Sequence, residues 1–156
     1  MSLHRRIERA ADGAIVLRFR AEERALLREV CEELEELLTE RPADPALRRL
    51  FPPAYDDEQD ERAYRDLMGD ELMNGRRRAL ETLAGTVDAE RLTAEEAEAW
   101  LRALNDLRLA IGTRAEVEED TLLEGIRPDD PHALDLELYA YLSWLQEQLV
   151  EALSAG

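Results

Sequence analysis

Apolar residues alternate with polar ones near the start of the chain and then recur at spacings of three and four for most of its length. The alternating run Ile15, Leu17, Phe19 is separated from "LHRRIER" by the short break "ADG", which predicts a β-hairpin over residues 3–20. A two-residue turn would set Glu8 opposite Leu17, whereas a three-residue loop ending in Gly13 at positive φ sets Ile7 there. The second register buries the apolar face as a unit and is the expected one.

Four helical stripes follow. The first runs from about Ala21 to Glu40 through Leu27, Val30, Leu34, Leu37 and Leu38, and stops before Pro42. "RPADPALRRLFPPAY" holds four prolines and sustains at most one short turn around residues 46–50. A second helix is expected from Asp56 or Asp57 to about Leu83, with Tyr64, Leu67, Met68, Leu72, Ala79, Leu80 and Leu83 on one face. Gly69 and Gly75 interrupt it, which calls for either a close neighbour or a bend. Thr93 and Glu96 form a capping box that opens a third helix through Ala97, Trp100, Leu101, Leu104, Leu107 and Ile111. Residues 112–129 give no clear pattern beyond an extension of the third helix at their start, with breaks expected near Gly125 and Pro128. Asp130 as N-cap and Pro131 at the first helical position predict a last helix, striped by Leu134, Leu138, Tyr141, Leu142, Leu145, Leu149 and Leu153.

The fold class is therefore mainly α: a single domain over residues 1–156, with a short N-terminal hairpin packed on a helical bundle of about four helices in residues 21–156. A chain of 156 residues suits one hydrophobic core.

Charge narrows the function classes. All 20 basic residues are arginine, against 37 carboxylates, for a formal charge of −17. Such a field repels phosphate backbones and argues against nucleic acid as a general partner, although residues 1–20 carry five arginines and only two carboxylates. Cys31 is the one cysteine, reads as a small core residue of the first helix, and can form no disulfide within the chain. The start "MSLHRRIERAADG" has no apolar stretch after its arginines, and no run of 18 apolar residues occurs, so neither a secretory nor a membrane protein is expected. The expected location is cytoplasmic.

The chemistry on offer is sparse. Asp56, Asp57, Glu58, Asp60 and Glu61 crowd the start of the second helix, where carboxylates satisfy free backbone N–H groups and the positive dipole end. They lack the ligand alternation and turn glycine of a calcium loop and have no histidine nearby, so no metal is assigned. No catalytic residue or cofactor is assigned either: the serines lie outside any nucleophile elbow, and there is no glycine-rich phosphate loop. Polar residues do flank the apolar stripes. Tyr64, Arg65 and Asp70 border the second helix's stripe, and Asn105 and Arg108 border the third's, so an interhelical polar network is expected, with Asp70, Glu71 or Asp106 supplying a carboxylate to a guanidinium.

The runs "LFPPAYDD", "YRDLMGDEL" and "WLRALNDLRLAIGTR", in this order between a short hairpin and "YAYLSWLQEQLV", resemble the actinobacterial family known as domain of unknown function 2017. The matching positions are Phe51, Pro52, Tyr55, Tyr64, Arg65, Asp70, Trp100, Asn105, Asp106, Arg108, Gly112, Thr113 and Arg114, with a departure at Ala115. The resemblance implies a small cytoplasmic protein, often encoded beside the substrate adaptor of the Clp protease and a sulfur-carrier pathway for cysteine, with some relatives labelled transcriptional regulators. It implies no activity.

The expected function is that of a non-enzymatic regulatory or adaptor protein acting through protein contacts, with a link to Clp-type proteolysis as one setting. Its expected binding feature is a polar groove of Tyr55, Tyr64, Arg65, Asp70, Asn105, Arg108 and Arg114. A DNA-binding regulator using Arg5, Arg6, Arg18 and Arg20 or Arg76–Arg78 is the first alternative, unless the hairpin arginines neutralise the acidic residues 116–130. An enzyme with a carboxylate and arginine site is the second. Trp144, beside the last stripe, would favour a homodimer if exposed.

Overall fold

The computed structural model describes residues 5–50, 57–117 and 125–155, the side chains of Arg65 and Asp70 excepted. Strands β1 (Ile7–Arg9) and β2 (Ile15–Leu17) pair antiparallel with Ile7 opposite Leu17. Ala10 N–H donates to the Ala14 carbonyl at 2.8 Å, and Gly13 has φ +90°. The loop is thus Ala11-Asp12-Gly13, the length that puts both apolar residues on the core side. A third strand, β3 (Arg91–Leu92), pairs with β2 and sets Leu92 opposite Ile15. The sequence reading missed it, because two residues carry no periodicity.

Helix α1 (Ala21–Glu40) buries Leu27, Val30, Cys31, Leu34 and Leu38. A 3₁₀ turn (Pro45–Leu47), capped by the Asp44 side chain on Ala46 N–H, delivers Leu47 and Leu50 to the core. Helix α2 (Glu58–Thr86) starts where Asp57 accepts from the N–H groups of Gln59 and Asp60 at 2.8 and 3.0 Å. Helix α3 (Ala94–Arg114) opens on the expected capping box, Thr93 with Glu96. Helix α4 (Ala133–Ser154) completes the bundle.

Trp100 of α3 is fully buried, stacks on Phe19 at 5.9 Å, and donates its indole N–H to Thr86 Oγ1 at 2.7 Å. The one polar atom of the largest core side chain is thereby satisfied. Side chains from all three strands, the 3₁₀ turn and all four helices join the cluster around it. No helix among the described residues is long and apolar enough to cross a membrane.

Four expectations need correction. Leu67 is 82% exposed and Leu72 40%, so the α2 stripe is buried only from Ala79 onward. Neither Gly69 nor Gly75 marks a close neighbour: a Cβ on Gly69 would meet nothing within 4 Å, and one on Gly75 only the Arg78 guanidinium. The last helix begins at Ala133 rather than Pro131, because Asp130 closes a turn on His132 N–H and Ala133 N–H before it. Leu134, in its first turn, is 81% exposed instead of buried.

The break after α3 falls earlier than expected, at Glu116, whose φ is +56°. Glu116 N–H donates to the Thr113 carbonyl and Val117 N–H to the Gly112 carbonyl, the paired bonds of a Schellman end. Glycine usually occupies that left-handed position. Holding glutamate there costs about 1–2 kcal/mol, and glycine's extra unfolded-state entropy returns roughly 0.5–1 kcal/mol of it. Glu116→Gly should therefore stabilise the fold by about 0.5–1 kcal/mol in urea titration, and Glu116→Ala should not. Equal effects of the two would contradict the assignment.

Candidate functional site

The polar residues that flank the apolar stripes meet in three places. Toward α2, the Asp106 carboxylate, 3% exposed, accepts from the Arg76 guanidinium, which also donates to the Leu50 carbonyl at 2.5 Å. Burial pushes the Asp106 carboxyl up from its ordinary range, and Arg76 opposes that only in part. A groove of about 360 Å³ opens beside this pair, between Glu71, Leu72 and Gly75 of α2 and Arg102 and Asn105 of α3.

Toward α4, Arg108 donates to Ser143 Oγ at 2.9 Å, to Gln146 Oε1 and to the Tyr139 hydroxyl at 3.2 Å, and its guanidinium lies 5.3 Å from the Tyr139 ring centre. Gln146 in turn donates to Asn105 Oδ1 at 3.5 Å. The Tyr139 ring packs so closely on α3 that a Cβ on Gly112 would sit 3.0 Å from it. One turn on, Arg114 donates twice to the Asp135 carboxylate, at 2.9 and 3.1 Å.

The third place joins the hairpin to α1 and α4. Glu23 accepts from Arg6 Nε at 2.8 Å, from Arg20 N–H at 3.0 Å and from the Tyr141 hydroxyl at 2.6 Å. Burial alone would raise its carboxyl, but the Tyr141, Arg20 and Arg6 donors together outweigh burial and hold it below its ordinary 4.5. Arg6 also lies 5.6 Å from the Trp144 ring centre. Trp144 is accordingly half-buried, and the exposure that would have favoured a dimer is not seen. Gln148 Oε1 accepts from the N–H groups of Arg6 and Ile7 at 2.7 and 3.1 Å, which fastens β1 to α4.

Of the seven expected groove residues, four have described side chains, and these four fall in separate places. Asn105 lies between the α2 and α4 networks, Arg108 reaches from α3 into the α4 network, and Arg114 sits at the end of α3. Tyr64 is half-buried on α2. Tyr55 lies outside the described residues, as do the side chains of Arg65 and Asp70. Asp106 does serve a guanidinium, but that of Arg76, while Arg108 is held by neutral oxygens. Among the described residues, Arg5, Arg6 and Arg18 of the hairpin segment pair with Glu151, Glu23 and Glu8, while most of the acidic stretch expected to meet them, residues 118–124, lies outside the described residues. Sequence reasoning passed over Glu23 and Gln148. For Gln148 a signal existed: it shares the buried stripe of Leu145 and Ala152.

Cys31 is fully buried, and burial followed by the charges of Glu35 and Glu32 pushes its thiol up to about 12. Its reactive thiolate form is therefore scarce at neutral pH. Glu35, across from Arg77 and beside Glu81 and Glu32, is also pushed up, first by burial and then by those carboxylates. No group of three or more metal-ligating side chains comes together among the described residues.

The family model of domain of unknown function 2017 matches residues 4–153. The chain belongs to that family. The putative oxidative stress regulator AosR of Mycobacterium leprae is 34% identical over 134 residues, covering 74% of this chain and 61% of that protein. The oxidative stress regulator AosR of Mycobacterium tuberculosis H37Rv is 35% identical over 143 residues, covering 76% of this chain and 65% of its own. The chain spans less than two thirds of either relative's length. No solved structure matches it.

The lowered Glu23 carboxyl makes a pH prediction. Its stabilisation is fully present above 4.5 and is lost as pH falls through its folded value. Glu23→Gln should cost about 1–2 kcal/mol at pH 7, and the gap to the parent should shrink in urea titrations below pH 4.5. A gap that stays constant with pH would contradict the role given to the charge.

Proposed function

We propose that this chain is a single-domain, non-enzymatic regulator that works in the cytoplasm by binding another protein. The observation that carries the reading is that the arginines and carboxylates nearest to forming a site are engaged with one another inside the fold. Arg6 holds Glu23, Arg76 holds Asp106, and Arg108 donates to three neutral oxygens of α4. The naming of relatives as regulators supports the same reading. Their printed function concerns oxidative stress. In this chain the single thiol is buried and held protonated, so an oxidative signal would reach it through the partner and not through Cys31.

Affinity capture by the tagged full chain from its native host tests this, followed by reconstitution of the complex from purified components and light scattering. The expected result is a defined complex with one protein, formed equally by Cys31→Ala. Recovery of nucleic acid alone, or of nothing beyond further copies of the chain, would contradict the proposal.

A further inference from the structure

Helices α1 and α4 both pack on α3, and a groove of about 430 Å³ runs between them. Its apolar floor consists of Leu26 and Val30 from α1 and Leu134 and Leu138 from α4. Leu134 is 81% exposed there and Leu26 36%. Adjoining it at Val30, Glu33 and Arg114 is a smaller, mainly apolar pit of about 50 Å³, walled further by Leu34, Leu37, Leu107 and Ile111, with room for one small aliphatic group. Tyr141, tied to Glu23, lies at one part of the rim, and the Arg114–Asp135 pair at another.

The rest of the rim is acidic. Glu29, Glu33 and Glu137 line it, all three exposed, and none forms an ion pair among the described residues. With Asp135 set against Arg114, the groove carries three uncompensated negative charges. The walls are helices and offer no open strand edge. An extended peptide would find few partners there for its backbone N–H and C=O groups, whereas a helix satisfies its own. From Leu26 to Glu33 and from Leu134 to Tyr141 is two helical turns, roughly 11 Å, the span of aliphatic anchors at i, i+3 or i+4, and i+7.

We propose that the α1–α4 groove docks a basic amphipathic helix of a partner protein, its aliphatic face on Leu26, Val30, Leu134 and Leu138 and its arginines or lysines against Glu29, Glu33 and Glu137. One aliphatic side chain enters the pit beside Val30. This names the partner chemistry for the regulatory reading above and rests on it. The acidic rim speeds encounter and sets the orientation, while the leucine floor and the pit supply most of the hold.

The test uses the full chain and a synthetic helical peptide of about 18 residues, with leucines at i, i+3, i+4 and i+7 and arginines on the flanks, followed by fluorescence anisotropy. Binding should be micromolar and weaken with salt. The triple variant Glu29→Gln, Glu33→Gln, Glu137→Gln should weaken it about tenfold, and Leu134→Asp should do at least as much. Since −17 of charge attracts any basic peptide, a control triple at exposed Glu95, Glu98 and Glu147 should change affinity by less than about threefold. Equal losses in both triples, indifference to Leu134→Asp, equal binding of a peptide with glutamates in place of the arginines, or no binding at all would overturn the groove assignment. The two readings fail separately. A captured partner whose complex survives both the rim triple and Leu134→Asp leaves the regulatory reading standing and sinks the groove, and capture of no protein sinks the regulatory reading itself.

Discussion

Helix α3 touches α4, α2, the 3₁₀ turn, α1 and β3, and it carries a carboxylate, Asp106, on a face that this packing seals from water. An ion moved out of water is penalised by several kcal/mol unless a charge and further hydrogen bonds meet it. Arg76 is the group that does so. Because the same guanidinium also reaches the Leu50 carbonyl, one side chain relates α2, α3 and the segment after the 3₁₀ turn. Glu23 does for the hairpin, α1 and α4 what Asp106 does for the other side of the bundle. By contrast, the exposed Arg62–Glu58 pair within α2 contributes a few tenths of a kcal/mol at most. The interior charges set how the helices are turned toward one another, and the leucine stripes supply the bulk of the burial.

That division of labour bears on function. Guanidinium and carboxylate groups whose geometry is consumed in holding helices in register are poorly placed to bind a substrate. The surface has the opposite character: unpaired carboxylates around a leucine-floored groove, well suited to another protein's cationic helix. A buried thiol flanked by Glu35 and Glu32 suits the proposed reading, in which any signal passes by contact.

How much of this was legible in the sequence depended on the kind of signal each element carries. The hairpin register was readable because only one loop length buries Ile7 and Leu17 together, and the start of α3 because Thr93 and Glu96 stand at capping-box spacing. Strand β3 was not readable, since its pairing is dictated by β2 across the chain. The α2 stripe misled, because helical spacing places Leu67 and Leu72 on it while the fold leaves them 82% and 40% exposed. Among the polar residues, Asn105, Asp106 and Arg108 were correctly marked as interhelical, but their partners depend on helix rotation, which a one-dimensional pattern does not contain. Glu23 was invisible for a related reason: a glutamate in the first turn of a helix ordinarily serves only that helix's own end.

The central claim, that buried charge here fastens helices to one another, is tested most directly by a double-mutant cycle at Arg76 and Asp106, read as unfolding free energy in urea. Arg76→Met strands the buried carboxylate and should cost about 3 kcal/mol. Adding Asp106→Leu to that variant should then restore most of the loss, so that the second substitution is stabilising in the first one's background. Losses that simply add, with the double variant weaker than either single one, would contradict the account.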